Sequence, residues 1–233
     1  MINQLKVEMF KIKRFWVVYL IIILLAIAGF IPGYRLFSAD KTLTSDIMFS
    51  LLVGDTSLMF LYSVVSAWFI GNDFSSRTIH NEIKTGFGRF SVIVSRKIIV
   101  FGTAVIFHII FMGSTMLGFM CRNGFDTDFI SMRNFLWLLV VLLQVITGQN
   151  IIVCISFAIK KAAAGVVASV CFSFIAFNLL RNFIDADWFN FSFLSLAQDG
   201  STRTLLISCV YAAAVYVMVS VAACKLFSKA QIS

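Results

Sequence analysis

Six apolar stretches, each near the length that crosses a bilayer, constrain this chain more than any other feature. They are Phe15–Ile31, Ser50–Gly71, Ile98–Cys121, Asn134–Ile159, Ala162–Leu180 and Thr204–Phe227. The hydrocarbon core of a membrane takes roughly 20 helical residues. In lipid every backbone N–H and C=O must find a partner inside the protein, which leaves helices or a closed barrel. The runs do not alternate with period two, so helices are predicted. The chain is 60% hydrophobic and only 13% charged, against about 25% charged for a soluble domain. That is too little polar surface to wrap a water-soluble globule. The expected fold is therefore all-α, a single six-span transmembrane domain over residues 1–233.

Charge orients the spans. The formal net charge is +8, which in a soluble protein points to nucleic acid. Here the basic residues sit at the ends of apolar runs, where topology control accounts for them, and nucleic acid is excluded as a partner. With the N-terminus inside, the inner segments hold Lys6, Lys11, Lys13, Arg14, Arg77, Lys84, Arg89, Arg96, Lys97, Lys160, Lys161, Lys225 and Lys229. Only three acids join them, Glu8, Asp73 and Glu82. The outer segments hold the other six basic and eight acidic residues of the 19 and 11 present. Both termini are expected in the cytoplasm of a multi-pass cell-membrane protein. Basic residues, an apolar run and Ala26-Ile27-Ala28 also fit a cleaved secretory signal; the long polar lead and the five following spans favour a retained first span. Within residues 1–14, Leu5, Met9 and Ile12 share one helical face with lysines elsewhere. This suits a helix lying in the inner interface, or an ordinary basic lead.

Several chemistries are absent from the sequence. There is no GxxxxGK[ST] phosphate loop, no HExxH and no GxSxG, so the chain has no ATP-binding motif of its own and is expected not to be an enzyme. The five cysteines form no CxxC and neighbour no plausible ligand set, and they read as buried free thiols. No metal site is expected. Intramembrane polar residues are few. His108 lies near the middle of the third span, and Gln144, Gln149 and Asn150 interrupt the fourth. Asp55 lies about 22 Å outward of Ile70 at ~1.5 Å per residue, near the outer interface. Each has two readings: helix–helix hydrogen bonding (for Asp55, simple exposure), or a place along a translocation path. Pairs such as Ala164/Ala168, Gly165/Ser169 and Ser208/Ala212 let helices approach closely.

The longest polar segment is residues 72–97, NDFSSRTIHNEIKTGFGRFSVIVSRK. Asp73, Ser75 and Ser76 offer N-cap chemistry. Ile79 and Ile83 are four apart on a mixed polar background, and Gly86-Phe87-Gly88 breaks the pattern. One to three turns of helix held across the ends of two spans would transmit force between them; the alternative is a solvated loop.

From Phe69 through Lys97 the sequence resembles the first cytoplasmic segment of ABC-2-type transporter permeases. Gly71, Phe74, Arg77, Thr78, Ile79, Asn81, Gly86, Arg89 and Lys97 carry the likeness. Six spans and an interfacial N-terminal stretch agree with it. The resemblance implies a permease subunit of a bacterial ATP-driven exporter, paired with a second copy or a sister subunit. It implies two separate ATPase subunits that bind ATP and Mg, and no cofactor in this chain. Arg77, Thr78, Ile79, Asn81, Glu82, Lys84 and Arg89 would form the coupling contact, with Lys160 and Lys161 as a second, smaller one. Residues 181–203 would be an outer loop with short interfacial helices. The compact form is similar to permeases that expel antimicrobial or amphipathic peptides. An ion-coupled carrier or channel, and a non-transporting scaffold, are the competing functions.

Overall fold

Helical propensity and apolar burial produce an all-helical protein, seen in a computed structural model that describes residues 2–35, 44–53, 59–125, 127–179 and 201–229. No strand occurs among the described residues. Asp55 and residues 181–200 of the expected outer loop lie outside them. In chain order the helices are α1 (Ile2–Arg14), α2 (Trp16–Arg35), α3 (Ser45–Val53), α4 (Met59–Ser75), α5 (Thr78–Lys84), α6 (Arg89–Asn123), α7 (Met132–Ile159), α8 (Ala162–Ser173) and α9 (Thr202–Lys229). A π-helical run, Phe174–Leu179, continues α8.

Among the described residues four helices are long and apolar enough to cross a membrane: α2, α6, α7 and α9 over Thr202–Leu226. The stretches expected as the second and fifth spans are described only in part. The described residues of Ser50–Gly71 fall on two helices, α3 and the 17-residue α4. Of Ala162–Leu180, the described residues up to Leu179 fall on the 12-residue α8 and its π-helical extension. The helix that holds the expected third span starts before that span does. The helix begins at Arg89 rather than Ile98, because nothing between the extended Gly88 and Gly124 breaks it; basic side chains end an apolar run but not a helix. At ~1.5 Å per residue the 35 residues of α6 reach about 50 Å, well beyond a ~30 Å hydrocarbon core. Its first turns therefore project past the apolar part.

α6 is the hub. α1, α2, α3, α4, α5, α7 and α9 all pack against it. Its longest contact is with α2, and small residues make it possible. Gly29 and Gly33 on α2 face Ser114, Thr115 and Gly118 on α6 so closely that an added Cβ at any of the three glycines would overlap the partner helix. This G-x-x-x-G pairing lies outside the small-residue pairs singled out from sequence. Of those pairs, Gly165/Ser169 and Ser208/Ala212 are buried, whereas Ala164 is exposed. The cysteines also depart from expectation: all five are free, but Cys121 and Cys171 are exposed and the others half-buried.

The α2–α6 contact generates a prediction. At Gly33 the obstruction is the Thr115 carbonyl and the Phe119 backbone, which cannot swing aside. Gly33→Val should destabilise by about 1–3 kcal/mol, read as a lowered thermal midpoint in detergent. Gly113→Ala, where a Cβ meets nothing within 4 Å, should leave the midpoint unchanged or raise it, since glycine costs helix stability.

Candidate functional site

At the end of the bundle where α6 begins, four helices converge on one buried guanidinium. Arg96, in the second turn of α6, is 0% exposed. An arginine cannot shed its proton, so its charge has to be matched in place. Asp73 near the end of α4 accepts from Nε at 2.8 Å on Oδ2, and the same oxygen pairs with Nη2 at 2.7 Å. Glu82 near the end of α5 takes the fork, Nη1 to Oε2 at 2.9 Å and Nη2 to Oε1 at 3.1 Å. Glu8 of α1 completes the ring, with Oε1 3.4 Å from Nη2. Nη1 also donates to the Val92 carbonyl at 3.3 Å.

Lys11 reinforces the same carboxylates from above. Its Nζ donates to Glu8 at 3.0 Å, to Glu82 at 3.2 Å and to both oxygens of Asp73 at 3.4 Å. Gln4 donates to Glu82 Oε2 at 3.4 Å and accepts from Ser91 at 2.7 Å. The buried face of α1 is thus the polar row Gln4, Glu8 and Lys11, spaced i, i+4 and i+7 on one helical face. Leu5 and Ile12 are half-buried beside it, while Met9 is 44% exposed. The apolar face expected to anchor α1 is therefore split, because the ion pairs command the inward side.

Glu8, Glu82 and Lys11 respond to this environment differently. Burial pushes the Glu8 carboxyl above its ordinary range and the Asp73 charge adds to this; Arg96 and Lys11 oppose it without prevailing. Burial also works against a charged Glu82, but its hydrogen bonds and charge contacts with Arg96, and its pairing with Lys11, hold it below the ordinary range. Burial disfavours the Lys11 ammonium, yet Asp73 and Glu8 outweigh it and hold that group above its usual value. Three carboxylates face two cations, and Glu8 is the one whose burial outweighs its pairing.

Beneath the ions lies an apolar floor of Ile70, Ile79, Val92, Ile93, Val153 and Phe157. It fixes α5, a helix of seven residues that is too short to persist alone. Its start differs from the expected cap. Ser75 and Ser76 donate back to the Gly71 and Asn72 carbonyls at 3.0 and 2.7 Å, and Asp73 serves Arg96. The N-cap is Arg77, in the left-handed region (φ 56°), with no side-chain cap. The end follows the glycines: Gly86 (φ 94°) donates to the Ile83 carbonyl and Phe87 to that of Glu82, a Schellman closure that only glycine makes without cost.

The residues expected to meet a partner divide by face. Ile79 is fully buried and Glu82 is engaged with Arg96. Thr78 is half-buried, with its hydroxyl 2.8 Å from that of Ser76. Arg77, Asn81, Lys84 and Arg89 are exposed. Lys160 and Lys161 are exposed in the turn between α7 and α8. That turn adjoins the same end, since the Ala162 amide donates to Ser75 at 3.4 Å. Lys160, like Arg77, has φ 56°. In a non-glycine residue this conformation costs roughly 1–2 kcal/mol.

Of the candidates for a translocation path, Asp55 lies outside the described residues, and the other four are buried within helices. His108 is 2% exposed, with Nδ1 3.5 Å from the Tyr62 hydroxyl on α4. Gln144 is 0% exposed. Gln149 accepts from Ser66 of α4 at 2.7 Å. Asn150 donates to the Tyr216 carbonyl at 3.0 Å and to Ser220 at 2.9 Å, both on α9. Each observed bond joins two helices.

The cluster as a unit appears only in the folded protein, although residue order holds a clue to it. Glu8, Asp73 and Glu82 are the only acids in the segments assigned to the inner side, and all three meet Arg96. No protein family, curated protein or solved structure matches this chain.

Two outcomes test the cluster. Arg96→Met leaves three buried carboxylates facing Lys11 alone, and should cost about 3–5 kcal/mol, measured as loss of thermal stability in detergent. The second concerns pH. Folding raises the Glu8 value above the unfolded 4.5, so the folded state binds the extra proton and this group's contribution falls as pH rises from about 4.5 through the raised value. Glu8→Gln should therefore match or exceed the wild type near pH 7.5, with an advantage that shrinks toward pH 4.5. Glu82 has the opposite sign: its contribution is present above the unfolded value and is lost as pH falls through the lowered one. Glu82→Gln should be the less stable protein near pH 7.5. Melting curves between pH 4.5 and 8 that rank these two variants the other way would contradict the assignment.

Proposed function

We propose that this chain is the membrane-spanning permease subunit of an ATP-driven exporter, powered by a separate ATPase that docks on α5. Six crossings, both termini in the cytoplasm of a bacterial cell membrane, and pairing with a second permease copy or a sister subunit belong to the same proposal. The cargo is amphipathic, such as an antimicrobial or toxic peptide. ATP and Mg belong to the ATPase subunits, two per assembly.

One observation carries this reading. α5 is a short rod whose inner face is locked by Ile79 and Glu82 into three other helices, while its outer face presents Arg77, Asn81 and Lys84. Force applied outside would reach α6 and α1 through the buried ions rather than dissipate in a loop. The exposed Lys160–Lys161 turn at the same end supports a second contact. Arg77 and Lys160 hold a conformation that glycine adopts freely. Backbone cost retained at exposed basic residues fits a role for their side chains.

The experiment is co-purification with the ATPase from the native host, followed by coupled export in vesicles. Replacing Arg77, Asn81 and Lys84 together by alanine removes only exposed groups. It should leave the thermal midpoint nearly unchanged and weaken ATPase association by roughly tenfold or more, at up to ~1 kcal/mol per rim contact. Unaltered association and export in that variant, or failure to recover any ATPase with the wild type, would refute the docking role.

A further inference from the structure

An apolar groove of about 250 Å³ runs between α1, α2 and α6. Its walls include Ile12, Val18, Ile22, Ile98 and Ile106, and Gly102 leaves part of one wall bare. A Cβ at Gly102 would meet nothing within 4 Å, so the space is open rather than filled by a neighbour. The volume is below the ~300–1,000 Å³ of a typical small-molecule pocket. Its lining is nearly all hydrocarbon, which suits a slender apolar chain better than a drug-sized ring system.

The rim has one sign of charge. Exposed Lys13 and the half-exposed Tyr19 line the groove, and Lys6 and Lys13 line the adjoining recess on α1 with Leu5, Met9 and Phe10. Arg14 is also exposed, with its guanidinium 4.5 Å from the centre of the Phe10 ring. The only acid of α1, Glu8, is fully buried on the inward side against Arg96 and Lys11. The ionic cluster thus takes the negative charge of this helix out of play and leaves its outer side cationic above a hydrocarbon slot.

We propose that this groove is a binding site for one anionic glycerophospholipid, with an acyl chain in the slot beside Gly102 and its phosphate at Lys6 and Lys13. A lipid bound there would hold α1 against α2 and α6 from the side opposite the ion cluster. The site requires that the chain be embedded in a membrane and does not require the ATPase. The test below is therefore independent of the docking experiment.

Native mass spectrometry of the full chain, with phosphatidylglycerol and phosphatidylethanolamine of matched acyl chains, provides that test. The wild type should retain phosphatidylglycerol preferentially. Lys6→Gln and Lys13→Gln should each lower that preference by roughly fivefold, the share expected of one cation near a headgroup, while the thermal midpoint without lipid stays unchanged. Gly102→Phe and Gly102→Leu fill the slot and should lower retention of both lipids alike. Lys84→Gln, at an exposed cation on α5 away from the groove, should leave the preference intact. Equal retention of the two lipids by the wild type, no effect of either Gly102 variant, or an equal loss on Lys84→Gln would each overturn the site.

Discussion

A charged guanidinium with no exposed surface is the constraint from which the described end of this molecule follows. Arg96 cannot neutralise itself, and an ion left unmatched in a low-dielectric interior costs several kcal/mol. Its partners come from three separate helices: Glu8 of α1, Asp73 of α4 and Glu82 of α5. Once the guanidinium is satisfied, the ends of those helices have little freedom left. A buried ion pair is weak grounds for stability, since hydrophobic replacements often do as well. Its effect here is on geometry: side-on and forked contacts set the orientation of each carboxylate, which greasy packing would leave loose.

That geometry holds in place a seven-residue helix that could not persist alone. α5 lacks a side-chain cap and is too short to nucleate stably. It persists because Ile79 is sunk into an apolar floor, Glu82 is held by Arg96, and Gly86 closes its end. α6, which carries Arg96, packs against nearly every other helix. A displacement of α5 therefore has a path of direct contacts into the bundle. The mid-helix amides sit elsewhere along that bundle. Gln149 bonds to α4 and Asn150 to α9, fixing how α7 sits between its neighbours.

The outward surface of α1 is a by-product of the same arrangement. With Glu8 drawn inward, Lys6, Lys13 and Arg14 remain outside beside exposed Val7 and Phe10. An interfacial helix ordinarily buries its apolar face and shows its charges. α1 divides its charges by sign instead, with acid in and most of the base out.

Much of the architecture could be read from residue order alone. Long apolar runs dictate helices because lipid offers the backbone no other partner, and α2, α6, α7 and α9 have the required length and hydropathy. Gly86 was enough to place the end of α5, since that stop depends on backbone freedom within a few residues. What sequence could not supply was partnership across distance. Asp73 and Ser75 looked like caps because their nearest neighbours in the chain are free amides. Only folding brings Arg96 within reach of Asp73 and sends the serines back to the carbonyls of α4. Gly29 and Gly33 looked unremarkable until Gly118, 85 residues after Gly33, came to lie against their helix. Local backbone chemistry is written in adjacent residues; the pairing of charges and the closeness of helices are properties of the packed bundle, because the energies that decide them act between residues far apart in the chain.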